Sequence, residues 1–264
     1  MTKNYLRFWS VFVFGGGCTF LLIMAAIGRP GSSTAPISHE RLSPALANPE
    51  KRGPQKDPKT SFEEFKKNFP KVDYDAPEPS DPTERTRRHN KSKHYDNGRI
   101  SKTPTHYSFG FNNHWDIGLP ALPITQDSVI VVASTLSRGA FLSNDKTGVY
   151  TELSAKIEQV LKGTSSAVNE GAVIDISRIG GVVGYSTGEE SLFSIDGQNM
   201  PTAGKRYLFF LKPITDSQDF TIVTGYELSP SGVTALDSPD QFKEFNGMDE
   251  ATFLLKVRSA IAQQ

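Results

Sequence analysis

One cysteine, Cys18, serves the whole chain, and no histidine follows His114. A single cysteine excludes a disulfide framework, so stability must come from an ordinary core. Without imidazole or thiol, residues 115–264 have no Ser–His or Cys–His nucleophile pair and no usual zinc ligands. Only an earlier segment folding back could supply them. Net charge is missing too, since 29 Lys and Arg balance 29 Asp and Glu. The zero hides two unlike parts: residues 1–118 carry 18 basic and 12 acidic groups, residues 119–264 carry 11 and 17. An acidic C-terminal part lacks the basic footprint of nucleic-acid binders, so no nucleic-acid partner is expected.

Long apolar runs are absent with one exception, the 21 uncharged residues Phe8 to Gly28. As a helix they span about 31 Å, enough for a hydrocarbon core of about 30 Å. Lys3 and Arg7 precede the run, which places residues 1–7 in the cytoplasm and exports the chain beyond residue 28. Cleavage as a secretory signal is the alternative. The best small-residue site, Ala26-Ile27-Gly28, is followed directly by Arg29 and Pro30, and the run exceeds the usual signal length. The expectation is a single-pass signal-anchor at 8–28, in contact with the membrane.

Residues 29–104 read as a proline-rich charged linker. Arg29 to Gly118 holds 11 of the 17 prolines and few aliphatic residues, a composition that buries too little to offset ordering. One island interrupts it near 61–69. Ser61 and Glu64 have capping-box spacing, and Phe62, Phe65 and Phe69 share a helical face before Pro70. His39, His89, His94, His106 and His114 all precede residue 115. His89 and His94 lie near Arg85, Arg87 and Arg88, a cationic setting that repels a metal, and no spacing matches a zinc signature. Tyr107, Phe109 and Phe111 alternate before Trp115. That period of two suggests an extended segment laid on a domain that begins near Thr105.

From there the pattern is strand-like. Val129–Ala133 is apolar on both faces, as a central strand would be. Val149–Leu161 alternates, with Leu153, Ala155, Ile157 and Leu161 on one face and Glu152, Ser154, Lys156 and Glu158 on the other. Further strands are expected at Val173–Ile179, Leu192–Ile195, Tyr207–Leu211, Phe220–Thr224 and Val233–Leu236, with turns between. From Asp249 the period becomes helical, with Phe253, Val257, Ala260 and Ile261 in phase. The fold expected over 105–264 is mainly β: about seven antiparallel strands in a barrel or sandwich, closed by a C-terminal helix at 249–262.

The stretches LSNDKTGVYTE (142–152), GKRYLFFLK (204–212) and TGYEL (224–228) resemble a group of exported bacterial β-domain proteins with no assigned activity. The resemblance covers about 119–264 and implies an exported β-domain, with no functional residue to carry over. The order of elements is also similar to small oligomer-binding-type barrels.

Chemistry is sparse. Ser143-Asn144-Asp145-Lys146 runs into Lys146-Thr147-Gly148, an S-x-x-K sharing its lysine with a K-T-G. In penicillin-recognising enzymes those motifs are far apart, so a hairpin connection is the better reading. Asn144 and Asp145 lack the alternating acids of a calcium loop. Glu189 and Glu190 are adjacent, so on a strand they diverge and cannot form a glycosidase pair. Gly180-Gly181 and Gly184 have no helix behind them to cradle phosphate. No catalytic residue, metal or cofactor is expected. The sequence favours a membrane-anchored envelope protein presenting a non-enzymatic β-domain to a protein or glycan partner. Two alternatives stay open: an envelope hydrolase using carboxylates alone, such as Asp145, Asp175 or Asp196, and a scaffold subunit of a membrane complex.

Overall fold

The computed structural model describes residues 63–102, 109–111, 115–163, 168–215 and 217–264. The 8–28 run, the linker as far as residue 62, Ser61, Phe62 and Tyr107 lie outside them. No helix among the described residues is long and apolar enough to cross a membrane.

Among the described residues, ten strands and two helices longer than two turns follow in order. They are β1 (Lys71–Asp73), α1 (Pro82–Ser92), β2 (Phe109–Phe111), β3 (Val129–Leu142), β4 (Val149–Lys162), β5 (Val173–Ile179), β6 (Gly181–Gly184), β7 (Glu190–Ile195), β8 (Arg206–Pro213), β9 (Phe220–Ser229), β10 (Gly232–Ala235) and α2 (Glu250–Ala262). Six strands make one sheet in the order β10-β9-β5-β4-β3-β8, and β9 also pairs β8. All these pairings are antiparallel except β5 with β9, a parallel seam of two residue pairs, Ile176 with Phe220 and Ser177 with Thr221. The sheet thus rolls over on itself with a thin seam, in place of the expected closed seven-stranded barrel or sandwich. A second sheet of short strands, β1-β6-β7-β2, packs against it where Val183 and Phe193 meet Ala140 and Val149.

Alternation explains the roll. Val129, Val131 and Ala133 of β3 meet Leu153, Ala155 and Ile157 of β4, Ile174 and Ile176 of β5, Tyr207, Phe209 and Leu211 of β8 and Phe220 and Ile222 of β9 in one interior. The opposite faces of β3 and β8 present Ile130, Val132, Leu208 and Phe210 to a second layer with Tyr226, Phe253 and Val257. A strand apolar on both faces needs a cover on each, and α2 supplies the outer one. Asp249 caps α2 by accepting from the Thr252 backbone N–H at 2.9 Å, while Phe253 and Val257 are fully buried. Leu161 departs from the expected pattern. A register shift between Val132 and Ala133, which face Gln159 and Ile157, reverses the phase of β4, so Leu161 packs with the α2 layer and Val160 with the interior.

The segment read as linker is the main correction. Residues 71–100 carry β1, α1 and the 3₁₀ turn Lys93–Tyr95, and Tyr74, Lys91, Tyr95 and Ile100 are buried against the β-structure. Low apolar content does not prevent ordering here because the contacts are chiefly ionic and aromatic. Glu63–Lys66 form one helical turn, and Phe69 is buried with Val182, Leu192 and Met200. Gly181–Gly184 is the buried strand β6, paired with β1 and β7. The extended segment expected before Trp115 contains β2, parallel to β7.

Candidate functional site

Asp81-Pro82-Thr83-Glu84 starts α1. The Asp81 carboxylate accepts from the Thr83 backbone N–H at 2.8 Å and proline occupies the first turn, where its missing donor costs nothing. Helical spacing then sets Arg87 and Lys91 on the face turned to β4 and β5. Arg87 reaches Asp175 at 3.0 Å and also grips Glu84 at 2.9 Å. Lys91, 1% exposed, lies 2.6 Å from Glu152 and 2.9 Å from Asp219. A charge so buried is tolerable only because two carboxylates flank it. Ser92 Oγ sits 2.9 Å from the Tyr150 hydroxyl. Tyr95 stacks flat on Tyr150 at 4.1 Å and donates to Ser177 Oγ, and burial pushes its phenol well above the ordinary range.

Beyond Tyr95 the chain is fixed to the β3–β4 turn, residues 143–148. The Asp145 carboxylate accepts from the Asn97 backbone N–H, Ser143 Oγ, and both the backbone N–H and Oγ1 of Thr147. Those donors, Asn97 first, hold it far below the usual carboxylate range. Asn144 Nδ2 donates to the His89 carbonyl at 2.9 Å. The two backbones approach so closely that a Cβ on Gly148 would meet the Tyr95 carbonyl oxygen at 2.0 Å. Lys146 adopts a left-handed φ of 57° and donates to the Tyr74 carbonyl at 3.1 Å.

Between α1, the Pro77–Pro79 segment and this turn lies a cavity of about 390 Å³, lined by Arg85, Thr86, Arg88, His89, Ser92, Phe141, Ser143, Asn144 and Lys146 among others. Arg88 stacks its guanidinium 3.5 Å above the Phe141 ring. A smaller and more apolar cavity of about 230 Å³ lies at the other end of the turn, lined by Thr147 and Gly148 and walled by Ile100, Val149, Ile179 and Phe193. The earlier segment does fold back, so His89 reaches a cavity that also holds Ser92 and Ser143. No nucleophile pair results: Ser92 is engaged by Tyr150, Ser143 donates to Asp145 and accepts from Gly148, and neither bonds His89. Lys146 likewise turns to Tyr74 and not to Ser143, as a hairpin connection would have it.

No protein-family model matches the chain, and no curated protein matches it.

The carboxylates raised by the sequence are placed apart. Asp145 braces the turn, while Asp175 pairs with Arg87 and accepts from Ser154 Oγ at 3.0 Å. Asp196 follows β7, its backbone carbonyl taking the Trp115 indole N–H at 2.9 Å. None of the three lines either cavity. Glu190 pairs with Lys71 at 2.7 Å and Lys66 at 3.0 Å, partners that depress its pKa. Among the described residues no group of three or more His, Cys, Asp and Glu could hold a metal ion; His39, His106 and His114 lie outside them.

Sequence reasoning missed Arg178 and Asp237, a fully buried pair at 2.7 Å. Arg178 also donates to the Asn199 and Val223 carbonyls, and Thr224 Oγ1 donates to Asp237. Nothing in the spacing marks two residues 59 apart as partners. The cavity's cations were visible only as a setting hostile to metal. Lys146 joined them by folding.

Proposed function

We propose that the chain is a binding module without catalytic machinery of its own, displayed outside a membrane by the 8–28 run. One observation carries this reading. The 390 Å³ cavity is lined chiefly by cations and hydroxyls; its carboxylate, Glu78, lies by Arg85, and its serines are engaged by Tyr150, Asp145 and Gly148, not by His89. Fold analogy points the same way. The order β3-β4-β5-β9-β8, with β5 and β9 parallel, is similar to that of oligomer-binding-type barrels. Those partly open five-stranded rolls take ligands on one sheet face and on the connections between strands one and two and strands four and five. In this chain α1 occupies the β4–β5 face through Arg87 and Lys91. The first connection, residues 143–148, borders the cavity, which leaves that end of the roll for a partner.

The test uses full-length protein purified from its native membrane. A component should co-purify with it, and ester, phosphoester and glycoside reporters should show no turnover. Turnover that disappears on Asp145→Asn, Asp175→Asn or Asp196→Asn would replace this reading with the carboxylate hydrolase.

A further inference from the structure

We propose that the cavity between α1 and the β3–β4 turn takes an oxyanion, a carboxylate or phosphate carried on a small ligand of about monosaccharide size. The proposal rests on the binding-module reading and names the chemistry of its ligand.

Charge accounting comes first. Among the described residues lining the cavity, Arg85, Arg88 and Lys146 are fixed cations and Glu78 is the single carboxylate. Glu78 lies 3.6 Å from Arg85, and Glu84 bonds Arg88 Nη2 at 2.9 Å. Both arginines are therefore partly offset. Lys146 is not: its ammonium donates to a backbone carbonyl, and no described carboxylate lies within ion-pair distance of it. Two of its three N–H groups remain available.

Arg88 supplies the second element. Its guanidinium plane is fixed by the Phe141 ring at 3.5 Å and by the bond to Glu84. Its Nη1 is nonetheless buried with no hydrogen-bond partner. A buried donor left unpaired is costly, and an acceptor oxygen placed there removes the cost. Arg88 and Lys146 line the same cavity, where a guanidinium and an ammonium together suit a carboxylate or phosphate. The same charges that disfavour a metal at His89 favour an anion. Size and walls fix the rest: about 390 Å³ is at the small end of ligand sites, and Pro77, Pro79 and Val72 offer apolar surface to a ring face.

Isothermal titration of the full-length protein at low ionic strength tests this with glucose 6-phosphate, glucuronate, inorganic phosphate and glucose. Both sugar anions should bind saturably, and glucose should not. Lys146→Met should weaken their binding at least tenfold while lowering the ligand-free melting temperature by no more than about 4 °C, the effect of one lost hydrogen bond. Arg88→Lys keeps the charge but loses the fork, and should weaken binding several-fold. Phosphate binding as tightly as glucose 6-phosphate would support the oxyanion and overturn the sugar-sized ligand. No anion binding, or equal binding by Lys146→Met, would overturn the proposal. If an envelope component still co-purified in that case, the binding-module reading would stand without it.

Discussion

Arg178 and Asp237 place two opposite charges at 1% and 0% exposure, joined by two hydrogen bonds of 2.7 and 2.8 Å. Desolvation consumes most of what their attraction returns, so the pair contributes little net stability yet is costly to break. Its bonds to the Asn199 and Val223 carbonyls also fix where the loop after β7 meets β9. Asp237→Ala should lower unfolding free energy by about 3–5 kcal/mol in urea denaturation, because Arg178 would stay charged and unpaired. The double variant Arg178→Met, Asp237→Leu should lose less than Asp237→Ala alone; an equal or larger loss would contradict this account. Phe253, 0% exposed within the α2 layer, is a simpler case. Phe253→Ala should cost about 3–5 kcal/mol by transfer and cavity terms, read from the same titration.

At the level of elements, α1 carries a pH-sensitive anchor. Arg87 and then Arg88 bring the Glu84 pKa down from 4.5 to about 2. A folded-state pKa below the unfolded one stabilises above the unfolded value and loses that contribution as pH falls through the folded one. Glu84 should therefore support α1 fully above about pH 5 and progressively less toward pH 2. The urea-midpoint difference between wild type and Glu84→Gln should shrink from about pH 6 to about pH 2.5; a constant difference would show that Glu84 does not anchor the helix. Docking of α1 also depends on the close approach at Gly148, where a Cβ would sit 2.0 Å from the Tyr95 carbonyl. Gly148→Val should speed amide exchange across residues 95–100, measured by hydrogen–deuterium exchange. These contacts explain which elements were legible in the chain. β5, β8 and α2 bury apolar residues at fixed periods, so Val173–Ile179, Tyr207–Leu211 and the helix from Asp249 could be read directly. α1 docks through ion pairs to Glu152, Asp175 and Asp219, which leave no hydrophobic period, and its proline content suggested a linker. Its start signal, Asp81-Pro82-Thr83-Glu84, stands in the sequence with no hydrophobic period after it to mark a helix. The cavity was less legible still, because it needs α1 and the Lys146 turn together.

Across the whole molecule, the basic-then-acidic division of the sequence acquires a structural meaning. Arg87 and Lys91, from the basic part, pair with Glu152, Asp175 and Asp219 on the roll, so α1 covers acidic groups of the C-terminal part. Lys146, which bonds a backbone carbonyl, lines the cavity together with Arg88. If that end of the roll receives the partner, proximity there should be selective. The direct measurement is site-specific photo-cross-linking of the full-length protein in its native membrane. One probe replaces Glu78 on the cavity lining, and another replaces the exposed Leu255 on α2. The account predicts an adduct, resolved by mass, at position 78 that is lost in Lys146→Met and absent at position 255. Equal adducts at both positions, or none at position 78, would contradict it.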